Sequence, residues 1–171
     1  MNFDGRSAII RAQQSHLTQA LCRSMMDVTG ASICVFNSGA IRIDDQLMDI
    51  ITEYDILRCL PFVAEIISVK TSSNLLIKVL TRGLKDINTG MFPSYEGLEY
   101  DSIKNQWKIT STGQILDEEN LTLDVVTIPY FQMNTQFKEI TDITYTNVSL
   151  TRAFIEYLQR TYELPKTKRL V

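Results

Sequence analysis

The sequence predicts an α+β (mixed α/β) domain, in which helices pack on mixed sheets. Three observations predict it. Short apolar runs alternate with amphipathic helical stretches through the first half of the chain. From about residue 90 the pattern changes to strands and turns. A last amphipathic helix then closes the order. The 171 residues suit one domain, 1–171, with a core of its own.

The first clear element is a helix over 16–28, where Leu17, Ala20, Leu21, Met25 and Val28 recur at helical spacing. Ser15 can cap its start, and Gly30 can take the left-handed turn that ends it. "ASICVF", 31–36, is short and nearly all apolar, as for a strand buried on both faces. A short helix follows at 52–58, capped by Thr52 and stopped by Pro61. Residues 62–69, "FVAEIISV", read as a second strand. Thr71, Ser72 or Ser73 then opens a helix to about 86, with Leu75, Leu76, Val79, Leu80 and Leu84 on its inner face. "GLEYDSIKNQWKIT" reads as two strands joined by a turn at Lys104-Asn105. "TLDVVTI", 122–128, alternates and reads as another strand, while 130–148 carries no pattern that assigns it. The last helix spans 150–162, with Ser149 as cap and Pro165 beyond its end, and the terminal "KTKRLV" is expected to fray.

The net charge of -3, from 17 basic and 20 acidic residues, argues against a broad surface for a nucleic-acid polymer, which needs a basic excess. It leaves room for one small basic pocket. The chain has one histidine, His16, expected on the surface or as a capping residue. Cys22, Cys34 and Cys59 lie far apart in apolar surroundings, so buried free thiols are expected and no metal site. No apolar stretch approaches a membrane span. Residues 1–15 are too polar for a secretion signal, and unpaired thiols fit a reducing compartment, so a cytoplasmic location is expected over export.

The stretch "FNSGAIR", 36–42, carries the chemistry. A buried strand ending in small residues places polar groups at the carboxyl edge of a sheet, where open α/β sheets bind ligands. Asn37 offers a donor and an acceptor suited to a heterocycle edge or a sugar hydroxyl. Gly39 can take a positive φ and admit a ligand to the backbone. Arg42 presents a planar fork suited to phosphate or carboxylate. The same residues also read as a plain turn with a solvated charge. Asp44-Asp45 reads as a solvated loop. No GxSxG or Walker motif is present.

Several stretches in order resemble the C-terminal, substrate-binding domain of the 5'-nucleotidase and UDP-sugar hydrolase family, over about residues 4 to 163. They are "RAQQSHLTQALCRSMMDVTGAS", "NSGAIR", "YDILRCLPF", "TGMFPSYEGLEYD", "LDVVTIPYF" and "TRAFIEYLQR". The resemblance implies a domain that holds a nucleotide while a separate N-terminal domain, absent from this chain, hydrolyses it with two divalent metal ions. It implies that Asn37 contacts the base, that Arg11 and Arg42 reach the ribose or phosphate end, and that Phe62 and Tyr130 clamp the base between two rings. It implies no cofactor in this chain and no catalysis by it alone. Family members are often exported, which runs against the location expected above. Where the family has a glutamate after its first arginine this chain has Gln14. Where the family has Asn-Asp and then "GGDG", this chain has Ile128-Pro129 and "QMNTQF", 132–137. The alternative reading is therefore a non-enzymatic binding or interaction module that kept the fold and lost the nucleotide.

Overall fold

The central sheet draws its strands from five separated parts of the sequence. The computed structural model describes residues 2–117 and 120–162. In chain order the strands are β1 (Asn2–Asp4), β2 (Ile33–Asn37), β3 (Gln46–Met48), β4 (Glu65–Ser72), β5 (Pro93–Glu96), β6 (Leu98–Asp101), β7 (Gln106–Ile109), β8 (Thr122–Thr127) and β9 (Ile143–Ser149). The helices are α1 (Ser7–Ile10), α2 (His16–Thr29), α3 (Glu53–Cys59), α4 (Ser73–Lys85), α5 (Pro129–Met133) and α6 (Leu150–Tyr162), with 3-10 turns at Ser38–Ala40 and Gln136–Glu139.

Local signals set the helix boundaries. Ser15 and Thr18 form a capping box at the start of α2, and Gly30, at φ 73°, ends it. Thr52 and Asp55 form a second box on α3. The Ser72 hydroxyl accepts the Leu75 N–H at 3.1 Å, and that of Ser149 accepts the Arg152 N–H at 3.2 Å.

Five strands pair in the order β5-β2-β8-β4-β9; β2 and β8 run parallel and the other neighbours antiparallel. Strands β1 and β3 form one separate ribbon, and β6 and β7 another. The central sheet is covered on both faces. On one face Cys34 of β2 meets Met25 of α2, and α6 packs beside α2. The other face carries Pro93, the register partner of Asn37. There α4 comes so close that a Cβ on Gly83 would sit 2.9 Å from the Pro93 ring. Two helical layers around one mixed sheet explain why β2 is buried along its whole length.

Several expectations change. The strand placed at 62–69 begins only at Glu65, and Phe62 and Val63 stand exposed before it. Strand β8 does not alternate throughout: Val125, Val126 and Thr127 are all buried, because β2 and β4 flank it and both sheet faces are covered there. The unassigned stretch 130–148 holds α5, a 3-10 turn and the edge strand β9. The short elements β1, α1, β3 and β5 went unanticipated. Pro165 and the terminal "KTKRLV" lie outside the described residues. Cys22, Cys34 and Cys59 are buried free thiols. Among the described residues no helix is long and apolar enough to cross a membrane.

Candidate functional site

The chain after β2 turns at Ser38–Ala40 and crosses the loop that precedes β5. The Gly39 N–H donates to the Gly90 carbonyl at 2.8 Å, and the Ser38 N–H to that of Phe92 at 2.9 Å. A Cβ on Gly39 would lie 2.9 Å from Gly90 Cα, so the crossing has no room for a side chain. Gly39 is not among the positive-φ residues, which corrects the reason expected for a glycine there: the close pass of two backbones selects it, not a left-handed turn.

Beyond this crossing opens a cavity of about 620 Å³, at the edge where β2 and β8 end and β4 begins. Asn37, Gly39, Arg42, Phe62 and Tyr130 all line it. Arg11 does not; its carbonyl accepts the Asn88 N–H at 2.7 Å, and its Nε is buried with no hydrogen-bond partner. Further lining residues, among them Glu65, Gly90 and Met91, were not anticipated. The available signal for Glu65 was a charge inside the apolar run "FVAEIISV".

The cavity is polar at its floor and aromatic at its lips. Asn37 is buried and its Oδ1 has no partner. Phe62 and Tyr130 are 60% and 58% exposed, and Val63 beside Phe62 is 98% exposed. Pro61 and Pro129 stiffen the approach to each ring. The Arg42 guanidinium carbon stands 5.7 Å from the Phe62 ring centroid, a cation–π contact of about 0.5–1 kcal/mol at such an exposed place. No carboxylate pairs with Arg42 among the described residues; its Nη1 donates to the Gly39 carbonyl at 3.5 Å, which leaves the rest of the fork to an anion. Behind it, the Cys59 carbonyl accepts the Arg42 N–H at 2.8 Å. Burial pushes the Cys59 thiol up to about 12, which makes it a packing group and not a nucleophile.

The two departures in the motifs have structural counterparts. Gln14 donates its amide to the Pro93 carbonyl at 2.9 Å and accepts the Tyr95 N–H at 2.8 Å. It thereby satisfies both kinds of free group on the edge strand β5, which an ionised glutamate, an acceptor only, would not. The segment 132–137 is anchored at its two ends: Gln132 and Phe137 are buried, and the Gln132 amide donates to the Phe137 carbonyl at 3.0 Å, while Met133 between them is exposed. His16 lies elsewhere, its ring 5.0 Å from that of Phe3 and its Nε2 3.2 Å from the Tyr162 hydroxyl. Among the described residues no three His, Cys, Asp or Glu side chains gather to hold a metal.

The arrangement is an apolar cleft with a few placed polar groups on an α/β sheet edge. Residues 2–148 match the family of 5'-nucleotidase C-terminal domains, and the chain belongs to that family. Its fold is similar to that of a 5'-nucleotidase precursor from Thermus thermophilus, at TM-score 0.81 and 20% identity, over 94% of this chain and 35% of that one. It is similar also to the NAD nucleotidase of Haemophilus influenzae, at TM-score 0.66 and 18% identity, over 92% of this chain and 32% of the other. A putative 5'-nucleotidase from Staphylococcus aureus, solved with alpha-ketoglutarate, matches at TM-score 0.67 and 12% identity, over 91% of this chain and 36% of that one. The chain thus spans about a third of the length of these structures. A search of curated proteins gives no match.

Proposed function

We propose that this domain holds a nucleotide or nucleoside phosphate for a metal-dependent phosphohydrolase, and is not catalytic alone. The observation that carries this reading is the orphan Asn37 Oδ1 at the floor of a cavity whose lips are two exposed rings. A buried acceptor without a donor costs about 1–3 kcal/mol. A ligand with an N–H on a planar edge would remove that cost. Such a ligand, held between Phe62 and Tyr130, would gain stacking on the order of 1–3 kcal/mol per ring. Arg42 stands beside one ring with a fork that no carboxylate holds, placed for a phosphate on the same ligand. Arg11, with its unpartnered buried Nε, sits outside the cavity lining. The metal-bearing partner would be an N-terminal metallophosphatase domain, whose two divalent ions would activate the attacking water. This domain would contribute orientation of the leaving nucleoside.

Calorimetric titration of the 171-residue chain with adenosine, AMP and UDP-glucose tests the reading. Binding is expected, with Arg42→Ala weakening AMP about tenfold or more and adenosine little. Equal losses for both ligands would remove the phosphate role. One observation favours the second reading, a module without nucleotide: the segment 132–137 brings no carboxylate to the cavity. Absence of binding for all three ligands at millimolar concentration would decide for it.

A further inference from the structure

The segment 132–137, whose sequence departs from the family pattern, forms a wall of a second cavity, of about 520 Å³. That wall runs from Met133 to Lys138. The facing wall is α4 and its cap, where Val79, Arg82, Gly83 and Asp86 fall on one stripe at helical spacing. The short helix α5 separates this cavity from the first: Tyr130 lines the first, and Phe131 and Met133 line the second. Among the described residues only Met91 belongs to both.

The segment is held in shape by its own hydrogen bonds. The Asn134 amide donates to the Tyr130 carbonyl at 2.8 Å, the Thr135 hydroxyl to the Phe131 carbonyl at 2.8 Å, and the Lys138 N–H to the Thr135 carbonyl at 3.0 Å. These bonds fix the backbone that carries Gln136 and Lys138, and neither of those side chains has a partner among the described residues. Across from them the Arg82 guanidinium stands 3.6 Å from the Asp86 carboxylate, wider than a hydrogen bond, so its donors are not used up. Asp86 is the one acidic residue among the described lining residues, and the end of α4 adds partial negative charge. Arg82 and Lys85, in the last turn of α4, offset both. Lys138 is the charge left over, in a chain whose net charge is -3. A local positive excess concentrates anions that the rest of such a surface repels. Met133, 66% exposed, gives the cavity an apolar side together with Met91 and Phe131. An exposed methionine contributes little to the fold, and its polarizable side chain adapts to a ligand.

We propose that this cavity is a second ligand site, for a small organic anion that carries a phosphate or a carboxylate on an apolar body. Lys138 takes the charge together with the free donors of Arg82, and the Gln136 amide adds a neutral donor. The apolar body lies against Met133 and Met91. Two cations from separate elements, one unpaired amide and an apolar wall are what such a ligand requires, and the fold itself uses none of them. The site stands apart from the nucleotide-holding reading, since Arg42, Phe62 and Tyr130 line the other cavity.

The test is an NMR titration of the 171-residue chain with phenyl phosphate and with benzoate, read at the backbone amides. The amides of Asp86, Asn134, Gln136 and Lys138 should shift saturably with at least one of the two, at a Kd of about 1 mM or tighter. Lys138→Glu, at an exposed position, should weaken that binding about tenfold or more, with an unchanged melting temperature to certify the fold. Arg42→Ala should leave it unchanged, because Arg42 lines the other cavity. Inorganic phosphate and acetate, which lack the apolar body, should bind about tenfold more weakly than their aromatic counterparts. No saturable shift at these four amides with either aromatic probe overturns the proposal, and so do shifts confined to Asn37, Gly39 and Arg42. Affinity that survives intact in Lys138→Glu overturns it as well. Equal binding of the inorganic and aromatic phosphates, and of acetate and benzoate, overturns the organic ligand.

Discussion

The floor and the lips of the cavity are built on opposite terms. At the floor, β2 is buried from Ile33 to Asn37, and its following turn is tied by backbone hydrogen bonds to the loop before β5. At the lips, Phe62, Val63 and Tyr130 give large apolar surface to solvent. Rings this exposed contribute little to the stability of the fold. The floor in turn leaves Asn37 Oδ1 unpaired, a cost the fold carries without compensation. The two departures from good folding practice face each other across one space. That conjunction separates a binding cleft from a surface dimple better than either does alone.

Substitutions should break this contrast unequally. The largest effect is expected from Phe36→Ala, which opens a hole in the fully buried floor strand and should cost about 3–5 kcal/mol in a urea denaturation. Gly39→Ala comes next. Its Cβ would press on the Gly90 backbone, where no flexible side chain can yield, at a cost of about 1–3 kcal/mol and with a distorted floor. At the lips the pattern reverses. Phe62→Ala and Tyr130→Ala should each leave stability within about 0.5 kcal/mol. Each should weaken nucleoside binding by about 1–3 kcal/mol. A folded double variant with unchanged affinity would remove the clamp.

The smallest effect concerns α3, which leads into Phe62. Asp55 is held below the usual carboxylate range, first by its hydrogen bond from the Thr52 hydroxyl and next by that from the Thr52 N–H. A depressed carboxylate contributes stability that is present above its unfolded value near 3.9 and is lost as pH falls through the lower folded value. Thr52→Ala should cost about 0.5–2 kcal/mol at neutral pH. Between pH 5 and about pH 2 that difference from the unmodified chain should shrink, as read from urea midpoints.

Helices were legible wherever a cap and an apolar face coincided, as at Ser15 with α2, Thr52 with α3 and Ser149 with α6. The hairpin of β6 and β7 was legible from its turn, where Asn105 takes a φ of 50°. The short strands β1, β3 and β5 were not, because three or four residues carry no periodicity and their partners lie far along the chain. The start of β4 was set three residues early, because Phe62 and Val63 are as apolar as core residues. Hydrophobicity does not say whether a ring faces a core or a ligand. Five of the six residues singled out in the sequence line one cavity, whereas Arg11 does not. Arg11 sits at the end of the four-residue α1, which nothing in the local pattern announces. Glu65 was not anticipated in the cavity lining because its place there depends on which strand lies two places away.

Gln14 guards the border of the sheet. A terminal strand offers its outer peptide groups to any passing extended chain, the usual beginning of sheet-to-sheet aggregation. By clasping the Pro93 carbonyl and the Tyr95 N–H, this amide imitates one residue of a missing neighbour and occupies the places where a foreign strand would dock. The side of the sheet nearest the cavity floor thereby offers fewer open peptide groups to a second strand.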